Sequence, residues 1–270
     1  MINDRIELQV SNNIAHVRFA RSQKMNALDD KMFKAIHDLD KHLRADASIR
    51  VVVVSGEGGN FCAGLDKSNF ENLLASKAGK SSEAITDLET RTHGIANGPQ
   101  YAAWMWRELP MPVIAAVEGV ALGGGLQIAL GADIRFAAPD SQFSIMELKW
   151  GIIPDMSSTQ IMRHMVRDDV IRELTYTARV FGAQQALEWG FISGIHDNPI
   201  EHAFAVAQEI VVHNPHAVRS AKKVIDQSYY LDAQQGLMME SLEQQKVMGK
   251  PNQIEAIMAV MQGREPNYED

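Results

Sequence analysis

The chain has 270 residues, 46% of them hydrophobic and 22% charged, a composition that excludes disorder and collagen-like repeats and fits one large domain or a core with an appendage. With 26 Lys and Arg against 34 Asp and Glu the formal net charge is -8, which lacks the cationic footprint of a general nucleic-acid binder, so any anionic ligand must be held by local cations. Cys62 is the single cysteine, which excludes an intrachain disulfide framework and every multi-cysteine zinc pattern and points to a reducing, cytoplasmic setting.

Residues 6–10 and 14–20 read as two short strands around the turn-prone Ser11-Asn12-Asn13, an opening hairpin. From Asp29 to Leu43 the period changes: Met32, Phe33, Ile36, Leu39 and Leu43 recur at helical spacing, with Asp29 or Asp30 as cap. Val51-Val52-Val53-Val54 reads as a fully buried parallel strand. Residues 66–98 are charged, rich in Ser, Ala and Gly and weakly periodic, which predicts a mobile connection with short helices. A helix through Trp104 and Trp106 follows, then a second buried strand at 112–117. The glycines at 123–125 open a third helix over 126–130, and Ile134-Arg135-Phe136-Ala137 starts another strand. Strand, loop, helix and strand in this order predict an α/β architecture with parallel pairing.

Beyond Ile153-Pro154 the chain turns helical. Apolar stripes predict helices over 155–166, 170–177, 183–189, 200–213, 217–230 and 235–247. So long a helical third exceeds what one core needs, so some of the stripes are expected to pack against another subunit. The division expected is a core over 1–200 and a helical region for oligomerisation over 201–270. The first twenty residues mix charged and apolar types and lack the run of a secretory signal. No window approaches the roughly 18 uncharged apolar residues of a membrane span, so no membrane association is expected.

Several motifs fail on their own terms. Gly79-Lys80-Ser81 resembles the end of a phosphate-binding loop, but Leu74 stands where that loop needs its first glycine. The glycines at 123–125 do not make a dinucleotide fingerprint, because Ile128 occupies its last glycine position. The histidine pairs His37 with His42 and His213 with His216 lack a converging carboxylate or cysteine, so no metal is expected. No serine stands in a nucleophile elbow.

Three segments carry chemistry. Residues 60–66, NFCAGLD, and 118–127, EGVALGGGLQ, each follow a buried strand and consist largely of small residues. Their backbone N–H groups can therefore point into a crevice at the carboxyl edge of a sheet. A helix starting at the glycines adds its positive N-terminal end. The third segment, 144–155, SIMELKWGIIPD, sets a carboxylate, Glu147, in an apolar run where burial is costly without a partner or a task.

Together with Met25-Asn26-Ala27-Leu28, these segments resemble the crotonase, or enoyl-CoA hydratase/isomerase, superfamily in order and spacing, and the resemblance fades in 67–105 and in the last 50 residues. It implies a spiral of ββα units with a helical C-terminal trimerisation region, a homotrimer or homohexamer, an acyl-CoA substrate and no cofactor beyond the CoA moiety itself. The N–H groups of Leu65 and Gly124 would bind the thioester oxygen, and two such preorganised donors stabilise an enolate as it forms. Ala63, Asp66, Arg21 and Lys24 would contribute to the CoA site, Ala63 where the family's backbone meets the adenine and Arg21, Lys24 and Lys67 near segments that approach the phosphates. Arg264 is a further candidate from the C-terminal helices, and Trp104, Trp106 and Trp150 either line an acyl pocket or pack in the core.

The acids decide the reaction. Family hydratases hold water between two glutamates, at the positions of Gln127 and Glu147, and a glutamine there can orient a water or a carboxylate but cannot cycle a proton. Asp155 falls where the dienoyl-CoA isomerase branch carries a catalytic aspartate, and Glu147 matches that branch's glutamate. Asp155 also precedes Ser157-Ser158-Thr159-Gln160, where it can serve as a helix cap. The expected activity is a double-bond shift by Glu147 and Asp155, with Gln127 as the third site residue; the alternatives are a trans-2-enoyl-CoA hydratase with Gln127 holding water, and a non-catalytic CoA-binding protein.

Overall fold

The computed structural model describes residues 1–69, 71 and 87–270. The opening hairpin is present: β1 (Ile6–Ser11) and β2 (Ile14–Phe19) pair antiparallel. Asn12 and Asn13 turn it with φ of 50° and 63°, the left-handed values that asparagine tolerates. Helix α1 (Asp30–Ala45) is capped by Asp29, whose side chain accepts from the Met32 N–H at 2.9 Å, and it buries the predicted stripe through Met32, Ile36, Leu39 and Leu43.

Strand β3 (Val51–Gly56) pairs in parallel with β2 on one side and with β4 (Val113–Val117) on the other. Its side chains alternate between two cores. Val52 and Val54 join the main one, and Val51 and Val53 join a second with Ile14, Ile114, Ala116 and Phe136. Between β3 and β4 runs α2 (Gly98–Glu108), which starts in a capping box of Asn97 and Gln100 and buries Trp106 completely. Residues 70 and 72–86 of the connection before it, which sequence reads as mobile with short helices, lie outside the described residues, Gly79-Lys80-Ser81 among them.

From β4 onward the chain makes the expected strand-strand-helix turns. β4 is followed by β5 (Val120–Leu122) and α3 (Gly124–Gly131), and β6 (Ile134–Ala137) by β7 (Gln142–Ser144) and then by short helices. At each turn the first strand enters the large sheet and the second a small one. The large sheet has the order β1-β2-β3-β4-β6-β9, closed by β9 (Gly194–Ile195), and the small one the order β5-β7-β8, with β8 at Phe181–Gly182. Strands of two or three residues have no period to detect, so β5, β7, β8 and β9 leave no pattern in the sequence.

The C-terminal third holds α4 (Ser158–Met162), α5 (Asp168–Thr177), α6 (Ala183–Glu188), α7 (Pro199–Val211), α8 (Pro215–Ser228), α9 (Ala233–Val247) and α10 (Pro251–Gln262). Two corrections apply. The helix expected from Asp155 begins only at Ser158, because Ser157 takes a left-handed φ of 73° and breaks the run. The division at residue 200 falls inside α7, whose Ala203, Ala207 and Val211 cover the second face of the large sheet, so this helix belongs to the core. Helix α10, bracketed by Pro251 and by Gly263 at φ 63°, was not anticipated.

Candidate active site

Two strand ends meet beside the carboxyl edge of the large sheet. Cys62 pairs with Ala121, its N–H donating to Val120 O at 2.9 Å and its carbonyl accepting from Leu122 N–H at 3.0 Å. The close approach depends on glycine. A Cβ on Gly125 would stand 2.2 Å from Cys62 O, and one on Gly64, at φ 83°, would stand 2.5 Å from Leu122 O and 3.5 Å from Gly124 N. Among the described residues neither Leu65 N–H nor Gly124 N–H has a protein acceptor, so two unengaged donors lie on adjoining segments at the start of α3.

A cavity of about 370 Å³ opens there. Lys24, Ala63, Leu65, Asp66, Gly124, Glu147 and Trp150 line it, so most of the sequence candidates are brought together. Lys67, Met25, Met146 and Ile152 join them; the last three stand inside the 25–28 and 144–155 segments but carry no polar side chain that would single them out as site residues. Gln127 and Asp155 are not in the lining, and neither is Arg21. Its guanidinium lies 2.5 Å from Asp66 Oδ2, 3.0 Å from Ala27 O and 3.5 Å from Asp29 Oδ2, so its charge is spent on tying the 26–29 and 64–66 loops together. Burial works to raise the Asp66 pKa, but Ser68 and the Arg21 guanidinium outweigh it and hold the carboxyl down at about 2. Among the described residues Lys24 and Lys67 have no carboxylate partner. Arg264 is ion-paired to Glu255 at 2.5 Å. Trp106 is core, its indole N–H donating to Ala102 O, and Trp104 lines a separate cavity beside α8.

Glu147 begins a short 3-10 helix (Glu147–Trp150) after β7 and is 6% exposed. Its Oε1 accepts from Gln127 Nε2 at 2.6 Å and lies 3.3 Å from where a Cβ on Gly123 would stand, beside the unengaged donors. Its Oε2 is buried with no hydrogen-bond partner among the described residues. Burial pushes the Glu147 pKa up, the Gln127 bond pulls it down, and the nearby Asp155 charge raises it further.

Asp155 is not a helix cap: Ser157 occupies the position before α4, and no side chain caps that helix. Burial raises its pKa as well, and its charge is one of the influences that raise that of Glu147. The arrangement can hold a carbonyl oxygen on two N–H groups, take a proton beside it and return one elsewhere. Cys62 does not enter this chemistry, since full burial pushes its thiol up to about 12.

A family model described as enoyl-CoA hydratase/isomerase matches residues 9–270. The mitochondrial methylglutaconyl-CoA hydratase of Mus musculus is 30% identical over 255 residues, covering 92% of this chain and 77% of that protein. The mitochondrial Delta(3,5)-Delta(2,4)-dienoyl-CoA isomerase of Homo sapiens is 30% identical over 218 residues, covering 78% of this chain and 64% of that protein. Among solved structures, the enoyl-CoA hydratase of Bacillus anthracis superposes with a TM-score of 0.85 at 28% identity over 98% of both chains.

Proposed function

The chain belongs to the enoyl-CoA hydratase/isomerase family, and from that premise we propose that it is an acyl-CoA isomerase that shifts a double bond through a thioester enolate. Leu65 and Gly124 N–H groups hold the thioester oxygen, where charge gathers as the enolate forms. Glu147, beside those donors, removes a proton from the carbon next to the thioester; Asp155 returns a proton at the far end of the conjugated system. For a 3,5-dienoyl-CoA the proton leaves C2, the electron pair runs through the dienolate, and protonation at C6 leaves the 2,4-diene. The reaction is redox-neutral and needs no cofactor beyond the CoA of its substrate. Lys24 and Lys67 supply the local cations that a polyanionic ligand needs on an acidic protein.

One observation carries this reading: the group bonded to Glu147 is the Gln127 amide, and the second acid nearby is Asp155. Water addition favours two groups that can each accept a proton from the nucleophile, and Gln127 is not one of them.

Hydration of a trans-2-enoyl-CoA is the second reading, favoured by the methylglutaconyl-CoA hydratase matched over 92% of the chain. A paired ultraviolet assay separates the two. Growth of 2,4-dienoyl absorbance from a 3,5-dienoyl-CoA, lost in Asp155→Asn, supports the isomerase; loss of 2-enoyl absorbance that is indifferent to Asp155→Asn overturns it in favour of the hydratase.

A further inference from the structure

Gln127 sits on α3, is 3% exposed and uses both ends of its amide. Its Nε2 donates to Glu147 Oε1 at 2.6 Å, while its Oε1 accepts from Met156 N–H at 2.9 Å and from Ser158 N–H at 3.3 Å. Those two N–H groups flank the left-handed Ser157 and follow directly on Asp155. One buried side chain thus ties the helix carrying the Gly124 donor to both acids, the glutamate through its carboxylate and the aspartate through the backbone next to it. A primary amide serves both needs at separate atoms, its nitrogen donating to the carboxylate while its oxygen accepts from two peptide N–H groups.

We propose that Gln127 is a positioning residue that clamps Glu147 and the Asp155 segment in register and confines the site to proton transfer. The clamp occupies Glu147 Oε1 and leaves Oε2 as the oxygen free to take a proton. It fixes the separation of the two acids by holding Met156 and Ser158. Its own oxygen is filled by two N–H groups, so it cannot act as a second base toward water. The confinement to proton transfer rests on the isomerase reading; the clamp itself does not.

The test uses the full chain with two substitutions. Gln127→Met removes donor and acceptor; Gln127→Glu keeps an acceptor for Met156 and Ser158 but replaces the neutral donor with an acid. Glu147 is titrated by infrared difference spectroscopy of its carboxyl band, with Glu147→Gln as the blank, which needs no turnover. The pH profile of dienoyl-CoA isomerisation is measured alongside.

In Gln127→Met the Glu147 midpoint is expected to rise, and kcat to fall about a hundredfold with KM little changed, since reacting groups move out of register while CoA contacts stay. In Gln127→Glu the midpoint is expected to rise further, because two adjacent carboxyls share one proton. Slow hydration of a trans-2-enoyl-CoA is expected only in this variant. An unchanged Glu147 midpoint in both overturns the clamp. If Gln127→Met does not fold, Gln127→Glu alone decides by the same midpoint. A wild-type chain that leaves dienoyl-CoA untouched while the midpoints shift as stated sinks the isomerase reading and keeps the clamp.

Discussion

Glu147 is pulled two ways, since burial favours its neutral acid and the Gln127 N–H favours its carboxylate. The balance lies above the ordinary glutamate value, and the pH dependence follows. As the base of the proposed reaction Glu147 must be ionised, so kcat/KM is expected to fall on the acid side through a midpoint higher than a free glutamate's. Under the proposed double-bond shift Asp155 acts as the acid and must be protonated, so activity is expected to fall on the alkaline side through its own raised pKa, giving a bell. Glu147→Gln should lower kcat about 10²–10⁴-fold. Folding favours the protonated acid, so its contribution is full below the unfolded pKa and lost as pH rises through the folded one. Thermal melts should therefore show Glu147→Gln gaining Tm over wild type at pH 8 but not near pH 4. Asp66 has the opposite sign: held down at about 2, it stabilises the fold above the ordinary aspartate value and loses that contribution as pH falls toward 2. Arg21→Met strands this buried carboxylate, and urea unfolding should report a loss of about 3–5 kcal/mol.

Helix α3 is placed by what its first turn lacks. A methyl on Gly125 meets the Cys62 carbonyl at 2.2 Å, a backbone atom that cannot step aside without parting the two strand ends that carry the N–H donors. Gly125→Ala should reduce stability and kcat together, measured by denaturant melts and turnover. Gly236, four residues into α9 and with nothing within 4 Å of an added Cβ, is the contrasting case, and Gly236→Ala should stabilise by about 0.5–1 kcal/mol. Helix α8 is docked differently, through the buried Lys222, whose Nζ lies 2.7 Å from Asp133 Oδ2 and donates to Trp106 O and Met111 O. Burying that ammonium without its three acceptors would be costly; with them it fixes α8 against the end of α2 and the start of β4.

At the scale of the molecule, the outward faces of α9 and α10 leave Leu237, Met238, Leu242, Ile254, Ile257, Met258, Val260 and Met261 exposed, Val260 at 84% and Met261 at 81%. So much apolar surface on one terminal region predicts self-association. Sedimentation should give a multiple of the 29.9 kDa chain, three or six copies by the family resemblance, and the double change Val260→Glu with Met261→Glu should release single chains.

What the sequence determined by itself was whatever depends on residues near one another in the chain. The valine run at 51–54 is apolar at every position because both faces of its sheet are covered, and the stripe of α1 and its Asp29 cap follow from period and side-chain type. The paired glycine-rich strand ends and the isolated carboxylate Glu147 were legible because close backbone approach and a charge in an apolar run are local signals. Tertiary structure alone decided how those pieces are used. Arg21, a plausible phosphate ligand in the sequence, is consumed by Asp66, 45 residues away. Asp155, a catalyst that the sequence also lets serve as a cap, is released from capping because Gln127, 28 positions earlier, claims the N–H groups of Met156 and Ser158. Hydrogen-bonding capacity is written in each side chain, but which partner exhausts it is fixed only when distant segments compete for the same groups in a space without water.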